Sequence, residues 1–356
     1  MFKRIKTEKK ILLVLLSIFF LFNLSGCQLR NQALPFFSKN KVKNKINDLR
    51  ENILPIINIE RSSLIPRMID GLLVENKHEK NLPVAIVFDN FPGVPKPTLV
   101  NASIIYEMPV EGGLTRFLVI FDLESLPQVA GPIRSARSYL AEVAGEYQAP
   151  YIHAGGSPDA LLKLKQGFYK VINLDEISGQ GKYFYRQQGE SAPHNLYIKK
   201  ESIVKFLEDN KILSEANFSG WYYDQEIRSS NQLADKIEII FSPIVKSVWQ
   251  YDSKDKDYLY LPNGKSYYDK DGQQIKVKNL IIQYAPIKII DEIGRREINL
   301  NGQGEALIFQ VGKVIQGKWI KEASRTKFYN QIGEEIIFLP GKTWVSVIAP
   351  TNQVTY

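Results

Sequence analysis

Apolar residues along this chain fall in short runs separated by turn-forming residues. Val84-Ala-Ile-Val-Phe88 is an unbroken apolar run of strand length, and it stops at Asp89-Asn90 and a proline-rich loop, Phe91 to Pro97. Such a run suits a strand covered on both faces. Ile104 to Tyr106 and Arg116 to Asp122 predict two further strands, joined by a polar turn containing Glu111-Gly112-Gly113. The period then changes. Ser135 is placed to cap a helix running to about Tyr147, with Tyr139, Leu140, Val143 and Ala144 on one face. Pro150 to His153 reads as another strand and Ala154-Gly155-Gly156 as its turn. Ser157-Pro158-Asp159 opens a second helix with a hydroxyl cap, Pro at the first helical position and an early acid. A third helix is expected over roughly Glu201 to Asn210.

Beyond about residue 220 the pattern is strand and turn throughout. Strands are expected at Ile237 to Phe241, Lys278 to Tyr284, Glu305 to Gln310, Thr326 to Tyr329 and Trp344 to Ile348. Asn263-Gly264, between Tyr258–Leu261 and Ser266–Tyr268, is the strongest hairpin signal in the chain. The predicted organisation is an α/β main domain with a mixed sheet over 66–219, followed by a smaller β-rich domain over 220–356.

The N-terminal residues read differently. Lys3, Arg4, Lys6, Lys9 and Lys10 precede an apolar stretch from Ile11 to Phe22, too short to span a bilayer comfortably. Leu24-Ser25-Gly26-Cys27 then matches a lipobox, so residues 1–26 are expected to be a lipoprotein signal peptide. Cys27 is expected to carry a diacylglyceryl anchor (with palmitate-type acylation), which places the mature chain on the outer, extracytoplasmic face of the cell membrane. As the only cysteine of the chain, Cys27 also excludes disulfides and thiol catalysis. Residues 27–65 form a basic tether with Arg30, Lys39, Lys41, Lys43, Lys45 and Arg50. One acyl anchor is marginal, and a basic segment near anionic lipid strengthens it. The chain's formal charge is +8, but the signal peptide supplies five positive residues and one negative, which leaves +4. That modest surplus argues against nucleic acid as a partner and suits an anionic membrane or wall.

Candidate chemistry clusters in the first domain. Asp89, Glu107, Glu111, Arg116, Arg134, Arg137, His153, Gly155, Gly156, Ser157 and His194 lie near predicted strand ends and turns. Ligands of open α/β sheets bind beyond the carboxyl ends of the strands. Two helix N-termini and two arginines there would make an anion site suited to phosphate or carboxylate. Each residue also has a plain structural reading: Arg134 and Arg137 as bridges to Glu142, Glu107 or Glu111, Gly155-Gly156 as a tight turn, His153 as a core histidine and Asp89 as a turn cap. A Ser–His–Asp set could be assembled from Ser157, His153 or His194, and Asp89, but Gly155 to Asp159 is not a nucleophile elbow. Glu107 and Glu111 are a carboxylate pair of unknown separation. With three histidines and no free thiol a zinc site is not expected.

Longer motifs carry a resemblance. Pro83 to Asn90, Tyr106 to Phe117, Gly131 to Tyr139 and Tyr151 to Ser157 are similar to the YerB-type lipoproteins. Gly304 to Phe309, Gly312 to Trp319 and Pro340 to Trp344 resemble the second domain of that family. The resemblance covers nearly the whole mature chain. It implies a membrane-anchored protein of two domains, a family without an assigned activity, and it supplies no catalytic residue. A shorter pattern is similar to the LytR-CpsA-Psr phosphotransferases, which transfer wall glycopolymers from polyprenyl pyrophosphate with arginines and Mg²⁺-binding acids. That likeness implies Arg134 and Arg137 on the pyrophosphate and Asp89 on a Mg²⁺ ion. The pattern departs at Ser135, where that family has an Asp after its arginine.

Three functions are therefore expected in order. The first is a binding module for an anionic envelope ligand, a wall glycan or lipid-linked phosphate, through an arginine-rich cleft. The second is a cell-wall phosphotransferase or pyrophosphatase. The third is an envelope protein-interaction module docking through the aromatic β-rich half. The residues leave binding and turnover both open.

Overall fold

The computed structural model describes residues 64–94, 97–212, 215, 217–225, 232–269 and 272–356. The signal peptide, Cys27 and the tether as far as residue 63 lie outside the described residues. Ser62 to Tyr356 form one compact unit. In chain order its principal strands are β1 (Pro83–Phe88), β2 (Ile104–Pro109), β3 (Thr115–Asp122), β4 (Pro150–His153), β5 (Ile172–Asp175), β6 (Lys236–Ser242), β7 (Val245–Asp252), β8 (Asp257–Tyr260), β9 (Lys276–Val277), β10 (Asn279–Tyr284), β11 (Gln303–Gln310), β12 (Lys313–Lys321), β13 (Thr326–Asn330), β14 (Thr343–Ile348) and β15 (Val354–Thr355). The helices are α1 (Ser138–Glu146), α2 (Pro158–Lys165) and α3 (Lys200–Asp209).

A ten-stranded mixed sheet dominates, in the order β13-β12-β11-β10-β14-β2-β3-β1-β4-β5. The composition shift near residue 220 does not interrupt it. β14 lies parallel to β2, with Thr343 opposite Ile104 and Ser346 opposite Glu107. β1 and β14 are buried along their whole length, both faces of the sheet being covered at its centre. The fold is thus sheet-rich, and strand–helix alternation is confined to the segment carrying α1, α2 and α3.

A second sheet, β9-β8-β7-β6-β15, comes entirely from the second half. Aromatic residues fill the space between the two sheets. Trp344 of β14 meets Trp249, Tyr260 and Phe117 with ring centroids 5.0, 4.6 and 5.3 Å apart. Arg325 is fully buried and lies over Trp221 at 4.4 Å and Tyr147 at 4.5 Å. Its guanidinium donates to Ser219 O and Tyr147 Oη. Glu146 at the end of α1 accepts from Thr326 N at 2.9 Å and from Lys321. These polar contacts tie the two halves together where apolar burial alone would leave donors unmet.

Two local expectations are corrected. Helix α1 begins at Ser138 and not at Ser135, and Arg137 occupies the capping position without a side-chain bond. The backbone of 134–136 is held extended: Arg134 N donates to Val87 O and Ala136 N to Gly155 O, so it cannot also close helical turns. The Asn263-Gly264 turn forms, with φ of +51° and +79°, but β8 does not pair with Ser266–Tyr268. It pairs with β9, Tyr258 opposite Val277. Pro262, which has no N–H to give a ladder, ends the strand ahead of the turn.

Candidate functional site

Because β1, β2, β4 and β5 run the same way and β3 runs against them, one edge of the sheet gathers several of the residues singled out above. Asp89 follows β1, Glu111 follows β2, Arg116 opens β3, and Arg134 and Arg137 lie in the extended segment before α1. His194 arrives from the loop that leads into the strand Leu196–Lys199.

Asp89 is nearly buried, and each of its carboxylate oxygens has a polar neighbour. Oδ1 takes the Phe91 amide at 3.0 Å; Oδ2 meets His194 Nδ1 at 2.5 Å and Arg134 Nε at 3.1 Å. Arg134 also donates to Pro193 O at 3.3 Å. Arg137 and Glu111 form a two-pronged pair, Nε to Oε1 at 2.8 Å and Nη2 to Oε2 at 2.6 Å. Burial opposes the Glu111 charge, yet Arg137 holds the carboxyl below the usual range. Arg116 is different. It is 8% exposed, donates to Ser135 O at 2.9 Å and forms no ion pair among the described residues. Burial, with the neighbouring charges of Arg137 and then Arg134, pulls its guanidinium down to about 10. Three guanidinium groups thus share this edge with two carboxylates, each already paired.

The other residues sit elsewhere. Glu107 is fully buried between the sheets, accepting from Thr115 Oγ1 at 2.9 Å and Ser247 Oγ at 2.8 Å. Burial pushes its carboxyl up to about 7. Among the described residues it meets hydroxyls and pairs with no arginine. His153 is fully buried, with Nδ1 2.8 Å from Gly155 O and Nε2 2.7 Å from Asn173 Oδ1. Gly155 N donates to Asp175 Oδ1 at 2.7 Å, and Ser157 N to Ala136 O at 3.2 Å. Gly155 turns at φ +58°, where an added Cβ would stand 2.9 Å from Ile177. Ser157 occupies the capping position of α2, as expected, but its side chain makes no cap bond. The Gly-Gly-Ser turn is therefore stitched to its neighbours by amides that an anion would need.

Asp89 also lines a cleft of about 380 Å³ whose opposite wall comes from the second half, through Lys246, Tyr260, Asn263, Lys265 and Tyr267. Phe91 and Pro92 complete the near wall. Sequence patterning gave no signal for the far wall, which depends on how β7 and β8 pack. Arg296 was missed for the same reason. It donates to Val110 O at 2.9 Å and adds a fourth positive charge beside Tyr139.

A divalent cation does not suit Asp89 as it stands. Its oxygens already accept from an amide and an imidazole and lie in an ion pair with Arg134, and no group of three or more potential metal ligands occurs among the described residues. Hard cations need several free oxygens.

Comparison with known proteins agrees with this architecture. Residues 70–213 match the family described as Protein of unknown function (DUF3048) N-terminal domain, and residues 237–345 match its C-terminal domain. "Putative lipoprotein YerB" of Bacillus subtilis (strain 168) is 31% identical over 284 residues, covering 78% of this chain and 84% of that protein. The crystal structure of YerB protein from Bacillus subtilis superposes with a TM-score of 0.74 at 27% identity, over 82% of this chain and 100% of that one. Among the described residues no helix is long and apolar enough to cross a membrane. The chain belongs to the DUF3048 family, the YerB-type lipoproteins.

Proposed function

We propose that this protein is anchored through Cys27 on the outer face of the cell membrane and holds an anionic envelope ligand on Arg116, Arg134 and Arg137. The observation that carries this reading is Arg116, a nearly buried guanidinium that forms no ion pair among the described residues, Glu111 acting on it only from farther away. A buried charge that is only partly compensated carries a desolvation cost, and an incoming anion would offset it. Arg134 and Arg137 are part-exposed, with side chains 20% and 13% accessible, and flank Arg116 from the segment before α1. Planar guanidinium groups favour phosphate or carboxylate. A wall glycan bearing phosphate and a lipid-linked phosphate both present that chemistry, and the cleft beside Asp89 offers room for the attached sugar. The test is retention of the full chain on purified wall glycan with and without its anionic polymer, set against farnesyl pyrophosphate in micelles. Binding to either that falls about tenfold or more in the Arg134→Ala, Arg137→Ala variant supports the reading. Unchanged retention in that variant refutes it.

A further inference from the structure

Asp89 and His194 are arranged as simple anion capture does not require. The carboxylate is 5% exposed and fixes the imidazole through Nδ1, while the His194 side chain is 21% exposed. Its Nε2 has no hydrogen-bond partner among the described residues. The ring rests on Phe91, centroids 5.2 Å apart, and its backbone N–H is tied to Ser191 O at 3.0 Å. When the ring is neutral, a buried carboxylate at Nδ1 favours the proton on that nitrogen, and Nε2 is then the one that accepts a proton. Arg134 stands 3.1 Å from the same carboxylate oxygen, which puts a guanidinium beside the imidazole. On the far side of Asp89 lies the cleft, with aromatic and amide residues on its walls.

We propose that Asp89 and His194 form a proton-transfer pair that hydrolyses a phosphoester held on the arginine cluster. This rests on the anion-binding reading above and goes beyond it by assigning turnover. His194 Nε2 takes a proton from water as the water oxygen bonds to phosphorus. The bond from phosphorus to the leaving oxygen, on the opposite face, breaks; that oxygen takes a proton from solvent, and Nε2 returns its proton to solvent. The products are an alcohol and a phosphate, and the histidine returns to its starting form. The arginines balance the charge that gathers on the non-bridging oxygens. Asp89 is a positioning residue, stabilising the imidazolium between the two proton transfers. The step as written uses no metal ion, and Asp89 is engaged with the histidine, Arg134 and the Phe91 amide.

The experiment uses the full chain in detergent with a chelator present, and 4-nitrophenyl phosphate and bis(4-nitrophenyl) phosphate as probes. Calorimetry with inorganic phosphate runs beside it. Release of 4-nitrophenol is expected, falling about 100-fold in His194→Ala, the size of an ordinary acid–base contribution, while phosphate affinity stays within about threefold. Asp89→Asn should lower kcat and leave KM within about twofold, which a merely structural role would not do. His194→Gln, nearer in shape, guards against a folding failure and should be equally slow. No hydrolysis of either probe by a chain that binds phosphate overturns the proton-transfer pair alone, as does activity that survives His194→Ala or that the chelator abolishes. Absence of phosphate binding overturns the anion reading beneath it.

Discussion

Glu107→Gln should make this protein more stable near pH 8 and flatten the dependence of its stability on pH between about 5 and 8. The carboxyl is fully buried between the two sheets, and burial raises it from 4.5 to about 7 despite hydrogen bonds from Ser247 and Thr115. An acid raised on folding contributes its stability in full below the unfolded value and loses it as pH climbs through the folded one. Between pH 4.5 and about 7 the loss accumulates at about 1.4 kcal/mol per pH unit, to roughly 3.5 kcal/mol in total. Glutamine is neutral throughout and keeps the shape, so the variant should gain about 3.5 kcal/mol over the wild type near pH 8 and under about 1 kcal/mol near pH 5. Urea unfolding of the compact unit from Ser62 onward, followed by tryptophan fluorescence, reads this directly, because Trp249 and Trp344 are buried in the same inter-sheet core. Parallel stability curves for the two proteins across that range would refute the reasoning.

Three further outcomes are expected. Arg325→Ala empties an aromatic box and strands Ser219 O, so it should cost about 3–5 kcal/mol in urea unfolding and separate the two halves of the core. Gly304→Ala should lower the melting temperature by several degrees, because the new Cβ would stand 2.6 Å from Tyr284 O and 2.5 Å from Trp319 Nε1, and backbone cannot retreat cheaply. Glu111→Gln frees Arg137 from its two-pronged pair and should tighten binding of inorganic phosphate by about two- to tenfold at low salt, an effect that salt removes.

Much of this architecture is legible in the sequence where the local rule is also the global one. Val84 to Phe88 reads as a doubly covered strand and is one, and Pro158 marks the start of α2. The failures have physical causes. Ser135 looks like a helix cap, yet long-range bonds from Val87 and Gly155 hold its neighbours extended. Asn263-Gly264 makes its turn, yet β8 finds a partner at Lys276–Val277 that no local pattern announces. At the site, chain order suggests that Glu107 and Glu111 belong together. Alternation across β2 sends Glu107 between the sheets, and Glu111, beyond the strand end, turns to Arg137. The Asp89–His194 contact joins residues 105 apart, and the far wall of the cleft comes from the other half of the chain. Such contacts belong to the sheet order, which short-range periodicity does not encode.

The claim at the centre is that a nearly buried arginine awaits an anion. Calorimetric titration of the full chain with inorganic pyrophosphate, for the wild type and for Arg116→Met, tests it most directly. Methionine keeps the packing and removes the charge. The wild type should bind one pyrophosphate with an affinity that falls as salt rises, and Arg116→Met should weaken it about tenfold or more. Equal affinity in the two proteins, or no binding in either, would contradict it.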